Sequence, residues 1–352
     1  MSITLYCRRP VPGQISIEEQ FDQIARAYPS GVSVTTSVCR FPSRGFFRRL
    51  YNMLEAVWRQ GEVNHITGDV HYLALLLRKR KTILTIHDCG ILYGRSWPAR
   101  TLLRWFWFIL PAWRAAIITA ISEQTRQDLA AVLGIDPHEI RLVPDCVRND
   151  FTWSPAPFHS GYPEILQVGA RPNKNVARLA QALHGIPCRL RIVGRLDPTA
   201  EQALREHRID CINECGLTRE EIAARYRSCD LVSFVSTFEG FGVPILEAQA
   251  TGRPVVTSDL SPMRDVAGGG ACLVDPFDPG SIRRGILRVI EQPGYRESLL
   301  HQGRANAVRY QPHDIAAQYA EIYRELLSEV RPTLRSGEHS ADIFPGRRKE
   351  FE

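Results

Sequence analysis

Sequence patterns typical of metal sites, disulfide frameworks and secreted proteins are missing from this chain. No Asp-x-Asp triplet occurs among its 352 residues, and no group of His, Asp, Glu or Cys has metal-binding spacing, so we expect neither a metal nor a cofactor. The nine cysteines are an odd number at irregular intervals, which favours reduced thiols over a disulfide framework. No secretory leader pattern is recognisable. Together these features predict a cytoplasmic protein.

An uninterrupted apolar run of membrane-spanning length is missing as well. The most apolar stretch, residues 101–121, is broken by two arginines and a proline, which excludes an ordinary membrane span. Arg104 nevertheless stands beside Trp105, Trp107 and Phe108, a mixture suited to a helix that lies in a membrane interface. The alternative is a core helix followed by a buried strand.

The positive charge is uneven along the chain. The formal net charge is +6, and residues 1–150 hold 19 Lys and Arg against 13 Asp and Glu, whereas residues 151–352 hold 25 of each class. A basic half could attract an anionic substrate or the anionic inner face of a membrane, or could simply be a solvated surface. Its arginines are scattered and no nucleic-acid motif accompanies them, which disfavours nucleic acid as a partner.

Short apolar runs alternate with helix-length segments in two stretches, on either side of a proline-rich break at residues 154–157. Such alternation predicts an α/β protein with two doubly wound parallel sheets, whose ligands bind at the carboxyl ends of the strands. We therefore place an N-terminal domain at residues 1–155 and a C-terminal domain at residues 160–330, and we expect a flexible tail over residues 331–352.

The segment 230–258 combines a predicted strand, a glycine-bearing loop and a helix opened by Pro244. Loop N–H groups and the positive end of the helix dipole would stabilise a diphosphate. Two carboxylates, Glu239 and Glu247, bracket this anion site, and because carboxylates repel phosphate we expect them to accept hydrogen bonds from sugar and ribose hydroxyls. The alternative is that Glu247 only favours the helix N-terminus and Glu239 is an ordinary loop acid.

This segment resembles the Glu-x7-Glu motif of retaining glycosyltransferases of family 4, which have the GT-B fold of two Rossmann-like domains facing each other across a cleft. The match includes both acids with their surroundings EGFG and PILEA, and it extends over nearly the whole chain to Val330. It implies retaining transfer of a hexose from a UDP- or GDP-sugar to a hydroxyl of a glycan or lipid-linked glycan. It also implies that the final helices pack back on the N-terminal domain.

A second match to the family lies in residues 164–183, where Arg171 and Lys174 follow a strand that ends at Gly169. The corresponding basic pair of the family holds the donor phosphates, and such charges would also stabilise the leaving group without Mg²⁺. The alternative is a pair of surface bases. The donor-binding loop of the first motif comprises Gly240, Phe241, Gly242 and Val243.

In the first half, His87 follows a predicted strand, and the resemblance implies that it contacts the donor sugar and is catalytic together with Glu239. The alternative is a structural histidine bonded to a backbone carbonyl. Ser122 is a sound N-cap for the helix that follows it. The family's first loop carries a Gly-Gly pair, whereas this chain has PVPGQIS, so Gly13 alone is expected to allow the close approach to phosphate.

Other functions remain open. An epimerase or a sugar phosphorylase could use the same fold, and a non-catalytic scaffold could bind a glycan, a membrane or a partner. The presence of both acids and both bases of the motifs counts against the scaffold. The residues do not distinguish a nucleophilic Glu239 from one that orients the sugar.

Overall fold

The computed structural model describes residues 1–10 and 16–329. Gly13 and the tail 331–352 therefore lie outside the described residues. The strands are β1 (Ser2–Cys7), β2 (Ser33–Val38), β3 (Val63–Ile66), β4 (Thr82–Ile86), β5 (Ile117–Ala120), β6 (Ile140–Leu142), β7 (Glu164–Val168), β8 (Arg189–Val193), β9 (Asp210–Glu214), β10 (Leu231–Phe234), β11 (Val255–Ser258) and β12 (Cys272–Val274).

Helices connect these strands and cover both sheets. They are α1 (Ser16–Arg26), α2 (Phe46–Trp58), α3 (Trp97–Leu103), α4 (Leu110–Trp113), α5 (Glu123–Leu133), α6 (Val176–Leu183), α7 (Pro198–Glu206), α8 (Arg219–Ser228), α9 (Val243–Thr251), α10 (Met263–Ala267), α11 (Pro279–Glu291), α12 (Pro293–Ala307) and α13 (Pro312–Glu329). A π-helical segment, Arg104–Ile109, joins α3 to α4. No helix of the described residues is both long and apolar enough to cross a membrane.

The strands form two parallel sheets, which confirms the predicted fold class. The first sheet has the order β2-β1-β3-β4-β5-β6 and the second the order β12-β11-β10-β7-β8-β9. Central strands such as β4 and β10 are buried along their whole length, which explains their continuous apolar runs. In the second sheet the strand order reverses at β7: β8 and β9 follow on one side of it, and β10, β11 and β12 on the other. Such a reversal of strand order opens a crevice at the carboxyl ends of the strands.

Two strands, β6 and β9, are not recognisable as strands in the sequence. β6 has only three residues and lies at one edge of the first sheet, while β9 has the sequence DCINE and lies at an edge of the second. Edge strands contact water along one side and carry polar residues, so neither produces an apolar run that could be recognised.

The segment 101–121 is neither a helix exposed along one face nor a fully buried core helix followed by a buried strand. Trp105 is exposed, but Phe108 is buried in the core and Trp107 packs against the ring of His71, with 5.2 Å between centroids. Trp105, Trp107 and Phe108 therefore do not form one exposed surface, and an interfacial role for this segment stays a prediction. The π-helical turn changes the spacing of successive side chains, so they do not fall on a single stripe. Phe108 and Ile109 enter the core.

The last described helix, α13, lies on the first sheet, where it packs against α1 and β3. Buried polar groups hold it there, because the Tyr323 hydroxyl bonds His65 Nδ1 at 2.7 Å and the Tyr28 hydroxyl at 2.8 Å. His65 Nε2 bonds the Thr85 hydroxyl at 2.7 Å, and burial lowers the pKa of His65 to about 3. The ring is therefore neutral, and its two nitrogens serve as a structural link between sheet and helix.

We expect Tyr323→Phe to lower the free energy of unfolding by about 1–3 kcal/mol, because it removes the hydrogen-bond partner of the buried His65 Nδ1 and of the Tyr28 hydroxyl. Tyr162→Phe is the matched control, since its hydroxyl bonds Asp210 at an exposed site, and its effect should stay within about 0.5 kcal/mol. Denaturant titration measures both. Equal, small losses would show that the Tyr323 hydroxyl does not help to anchor α13.

Candidate active site

The carboxyl ends of β7 and β10 are adjacent because the two strands pair in parallel, with Ser233 opposite Gln167. The loops that follow them, residues 169–175 and 235–242, therefore meet at one edge of the second sheet. Thr237 N–H donates to the Asn173 carbonyl at 2.8 Å, which ties one loop to the other. Sheet topology thus brings the two sequence motifs together.

An ion pair joins the motifs. Lys174 Nζ lies 2.6 Å from Glu239 Oε1, and both side chains are only 16% exposed. The Asn173 amide donates to the same carboxylate oxygen at 3.3 Å and to the Phe238 carbonyl at 2.9 Å. The ammonium of Lys174 also lies 4.4 Å from the centre of the Phe234 ring. The negative charge of Glu239 is therefore balanced by Lys174, and its carboxylate is oriented by groups from the other loop.

Backbone conformation at Gly169 and Asn175 gives Lys174 this position. Gly169 has φ +89°, and a Cβ there would lie 2.8 Å from Lys174 Cε, so the lysine stem runs directly over the glycine. Asn175 has φ +62°, and its amide donates to the Val235 carbonyl at 3.0 Å and the Pro276 carbonyl at 2.7 Å. Arg171 precedes this turn with an exposed side chain, so it is not part of the ion pair.

The loop after β10 also contacts the first half of the chain. The Gly240 carbonyl accepts hydrogen bonds from the Ser122 hydroxyl at 2.7 Å and the Thr125 hydroxyl at 3.2 Å. Thr125 donates as well to the His87 carbonyl, at 3.1 Å. A Cβ on Gly240 would collide with the His87 carbonyl oxygen, so the two halves touch here with no room for a side chain.

The remaining loop residues play different parts. The Phe241 side chain is buried and packs 5.9 Å from the Tyr310 ring, so only its backbone is available to a ligand. Gly242 has φ +129° and is the N-cap of α9, which has no side-chain cap. Val243 is already helical, so the helix begins one residue earlier than Pro244, where the sequence predicts its start. The N-terminus of α9 thus directly follows the loop at the carboxyl end of β10.

His87 stands at the contact between the halves, buried after β4. Its Nε2 bonds the Thr67 carbonyl at 2.8 Å, which matches the alternative of a structural histidine. A carbonyl only accepts, so Nε2 carries the hydrogen of this bond. A catalytic role for His87 stays a prediction.

Glu247 is buried in α9 and accepts a hydrogen bond from the Tyr226 hydroxyl, 2.7 Å from Oε2. Burial raises the pKa of Glu247, an effect that the positive charge of Arg148 and the Tyr226 hydrogen bond oppose. The carboxylate faces a cation and a hydroxyl, and it is not the N-cap of its helix. This setting differs from the alternative in which Glu247 only favours the helix N-terminus.

A charged cluster at the contact between the halves had no signal in the sequence. Glu19 of α1 pairs with Arg148 and with Arg219 of the second half, whose Nε lies 2.7 Å from Glu19 Oε1. Arg148 Nη2 is buried without a hydrogen-bond partner. These residues are far apart in sequence and belong to no motif, so only the folded chain brings them together. Within the described ranges, no group of three or more His, Cys, Asp or Glu side chains could hold a metal ion.

Comparison with protein families agrees with this architecture. Residues 12–151 match the family model described as Glycosyltransferase Family 4, and residues 162–292 match the model described as Glycosyl transferases group 1. The chain belongs to the group 1 glycosyltransferases. The two matches cover both motif loops and all the described strands except β1.

Curated relatives of this glycosyltransferase include mannosyltransferases and D-inositol 3-phosphate glycosyltransferases. The MMP alpha-(1->4)-mannosyltransferase of Mycolicibacterium hassiacum is 27% identical over 254 residues, 67% of this chain and 62% of the relative. The phosphatidyl-myo-inositol mannosyltransferase of Mycobacterium leprae is 30% identical over 232 residues, 61% of each chain. This chain therefore spans somewhat under two thirds of their length.

Solved structures confirm the GT-B fold. Sucrose-phosphate synthase from Thermosynechococcus elongatus matches with a TM-score of 0.76 and 19% identity, over 93% of this chain and 99% of that one. Anabaena HepE, solved in complex with UDP-glucose, matches with a TM-score of 0.73 and 18% identity, over 92% of this chain and 100% of that one. At such identities the likeness is one of fold.

We expect Gly240→Ala to lower the melting temperature by several degrees, because its methyl group would meet the His87 carbonyl and push the halves apart. Gly294→Ala is the control, since a Cβ at that position, in the first turn of α12, meets nothing within 4 Å. Thermal unfolding followed by circular dichroism compares the two. A Gly240→Ala protein that melts with the control would mean that the contact is loose in solution.

Proposed function

We propose that this chain transfers a hexose from a UDP- or GDP-sugar to a hydroxyl of a glycan or lipid-linked glycan. The observation that carries the proposal is the convergence of Lys174, Glu239 and the N-terminus of α9 at the carboxyl ends of β7 and β10. His87 of the first half lies against the same loop. The mannosyltransferase relatives, and the UDP-glucose complex of a protein with the same fold, support this class of reaction.

Donor binding would rearrange the ion pair. A diphosphate carries more negative charge than one carboxylate, so it would compete with Glu239 for Lys174, while Arg171 adds a second cation from its exposed position. Glu239, released from Lys174, would accept hydrogen bonds from hydroxyls of the transferred sugar. Tyr226 bonds Oε2 of Glu247, which leaves Oε1 to accept a hydrogen bond from a ribose hydroxyl.

We propose transfer with retention and without a metal. The bond between the anomeric carbon and the β-phosphate oxygen breaks, and the acceptor oxygen bonds that carbon on the same face. The leaving phosphate takes the acceptor's proton. Negative charge on the departing nucleoside diphosphate would be stabilised by Lys174, Arg171 and the N-terminus of α9, and Glu239 would orient the sugar.

A thermal-shift screen without metal, against UDP, GDP, ADP, TDP and their sugars, tests the donor site. One nucleotide family should raise the melting temperature, because a ligand that binds only the folded state stabilises it. Lys174→Ala and Glu247→Ala should abolish that shift, whereas Lys79→Ala, an exposed lysine of the first half, should keep it. No shift with any nucleotide, or shifts that survive both site variants, would contradict the proposed donor site.

Turnover separates transfer from the other functions of this fold. Release of the nucleoside diphosphate that depends on a hydroxyl acceptor supports transfer. Interconversion of the nucleotide sugar without an acceptor would indicate an epimerase, and a requirement for inorganic phosphate would indicate a phosphorylase. Nucleotide binding without any turnover across donors and acceptors would favour a scaffold.

The pH dependence of donor binding should report on Glu247. Its pKa is raised by burial, so as the pH falls its carboxylate becomes protonated earlier than an ordinary glutamate and accepts hydrogen bonds less well. We therefore expect the Kd of the intact nucleotide sugar to rise as the pH falls through that raised pKa, in calorimetric titrations from about pH 8 to pH 5. Glu247→Gln should bind weakly with a flat profile. A flat profile in the unaltered protein would exclude this role for Glu247.

A further inference from the structure

The orientation of α2 is the reverse of that in an ordinary surface helix. Phe47, Tyr51, Leu54 and Trp58 follow the spacing i, i+4, i+7, i+11, which places them on one face. Their exposures are 82%, 42%, 50% and 89%. We call these four residues the α2 stripe. A large apolar stripe in water is unfavourable, and such patches on soluble proteins commonly mark a binding surface.

The opposite face of α2 explains why the stripe stays exposed. Asn52 is buried there, and its amide donates to the Phe41 carbonyl at 2.9 Å and the Tyr72 hydroxyl at 3.0 Å. The Phe41 N–H donates to Asn52 Oδ1 at 3.1 Å. Turning the helix to bury the stripe would break all three hydrogen bonds and expose Ala56. The exposure is therefore a consequence of specific packing.

Positive charge surrounds the stripe. Residues 40–59 contain five arginines and one acid, and the acid, Glu55, is paired with Arg59 at 2.6 Å. Arg44 and Arg48 are exposed at the start of the helix, beside Phe47. This charge is complementary to an anionic surface.

Exposed aromatic residues also occur on the element that packs beside α2. The guanidinium of Arg49 lies 5.7 Å from the centre of the Tyr72 ring and 5.4 Å from that of Trp107. This stack joins α2 to the π-helical segment, which exposes Trp105 and Phe106. Aromatic side chains mixed with arginine are the composition of segments that lie at the interface between lipid and water.

We propose that the exposed face of α2 binds an anionic membrane surface, with the α2 stripe inserted among the lipid headgroups and the arginines against the phosphates. The 13-residue helix is about 20 Å long, so it would lie flat on the bilayer. A second copy of the chain fits this face poorly, because two-fold pairing would set five arginines against five others. The proposal concerns residues outside the motif loops and does not depend on the proposed transfer.

Flotation of the full chain with vesicles tests the proposal. Wild-type protein should float with vesicles of phosphatidylcholine and phosphatidylglycerol, and much less with phosphatidylcholine alone. Raising the salt concentration should weaken binding, because ions screen the arginine charges. Protein that stays at the bottom of the gradient with anionic vesicles overturns the proposal.

Substitutions on α2 and on the second half test which surface binds the vesicles. Phe47→Ser with Trp58→Ser, both highly exposed, should keep the melting temperature and reduce vesicle partitioning by roughly tenfold or more. Phe277→Ser with Val308→Ser removes two apolar side chains exposed at 55% and 61% on the second half and should leave partitioning unchanged. Unchanged partitioning in the α2 variant overturns the proposal. So does sedimentation velocity that shows a wild-type dimer converted to a monomer by the same variant.

Discussion

The Gly240 carbonyl is the point on which the arrangement of the candidate site depends. It accepts hydrogen bonds from Ser122 and Thr125, so the end of a loop in the second sheet is bound to the start of α5 in the first. Glu239 immediately precedes this point and α9 starts three residues after it. Fixing one carbonyl therefore positions the acid, the helix N-terminus and His87 with respect to one another, and only glycine permits the approach.

Ion pairs also join the two halves of the chain. Glu19 is shared by Arg148 and Arg219, and Arg148 also acts on the buried Glu247. Buried charges are costly to desolvate unless they are paired, so removing one partner leaves the others in an unfavourable environment. A ligand that bonds Glu247 would alter the field on Arg148. Donor binding and the contact between the halves are therefore expected to influence each other.

Local patterns in the sequence predict the elements and the separate motifs, and folding supplies the contacts between them. The runs VNHI and TILTI coincide with β3 and β4, because central parallel strands are buried on both faces. Lys174 and Glu239 each follow a predicted strand, but their ion pair depends on β7 lying beside β10. Neither segment carries a sequence pattern that predicts which strands are neighbours. The sequence also does not predict that the Phe241 side chain turns inward and joins the core.

The orientation of α2 cannot be predicted from the sequence, because its amphipathic pattern would ordinarily place the apolar side inward, whereas the folded chain places it outward. The buried Asn52 decides the orientation, and its partners, Phe41 and Tyr72, lie outside the helix. Stability and surface affinity then reside in different residues. Asn52 and Ala56 hold the helix to the protein, while Phe47 and Trp58 contribute little to the core. Because the two sets are separate, membrane affinity can be removed while the fold is kept, which a helix with its apolar side in the core would not permit.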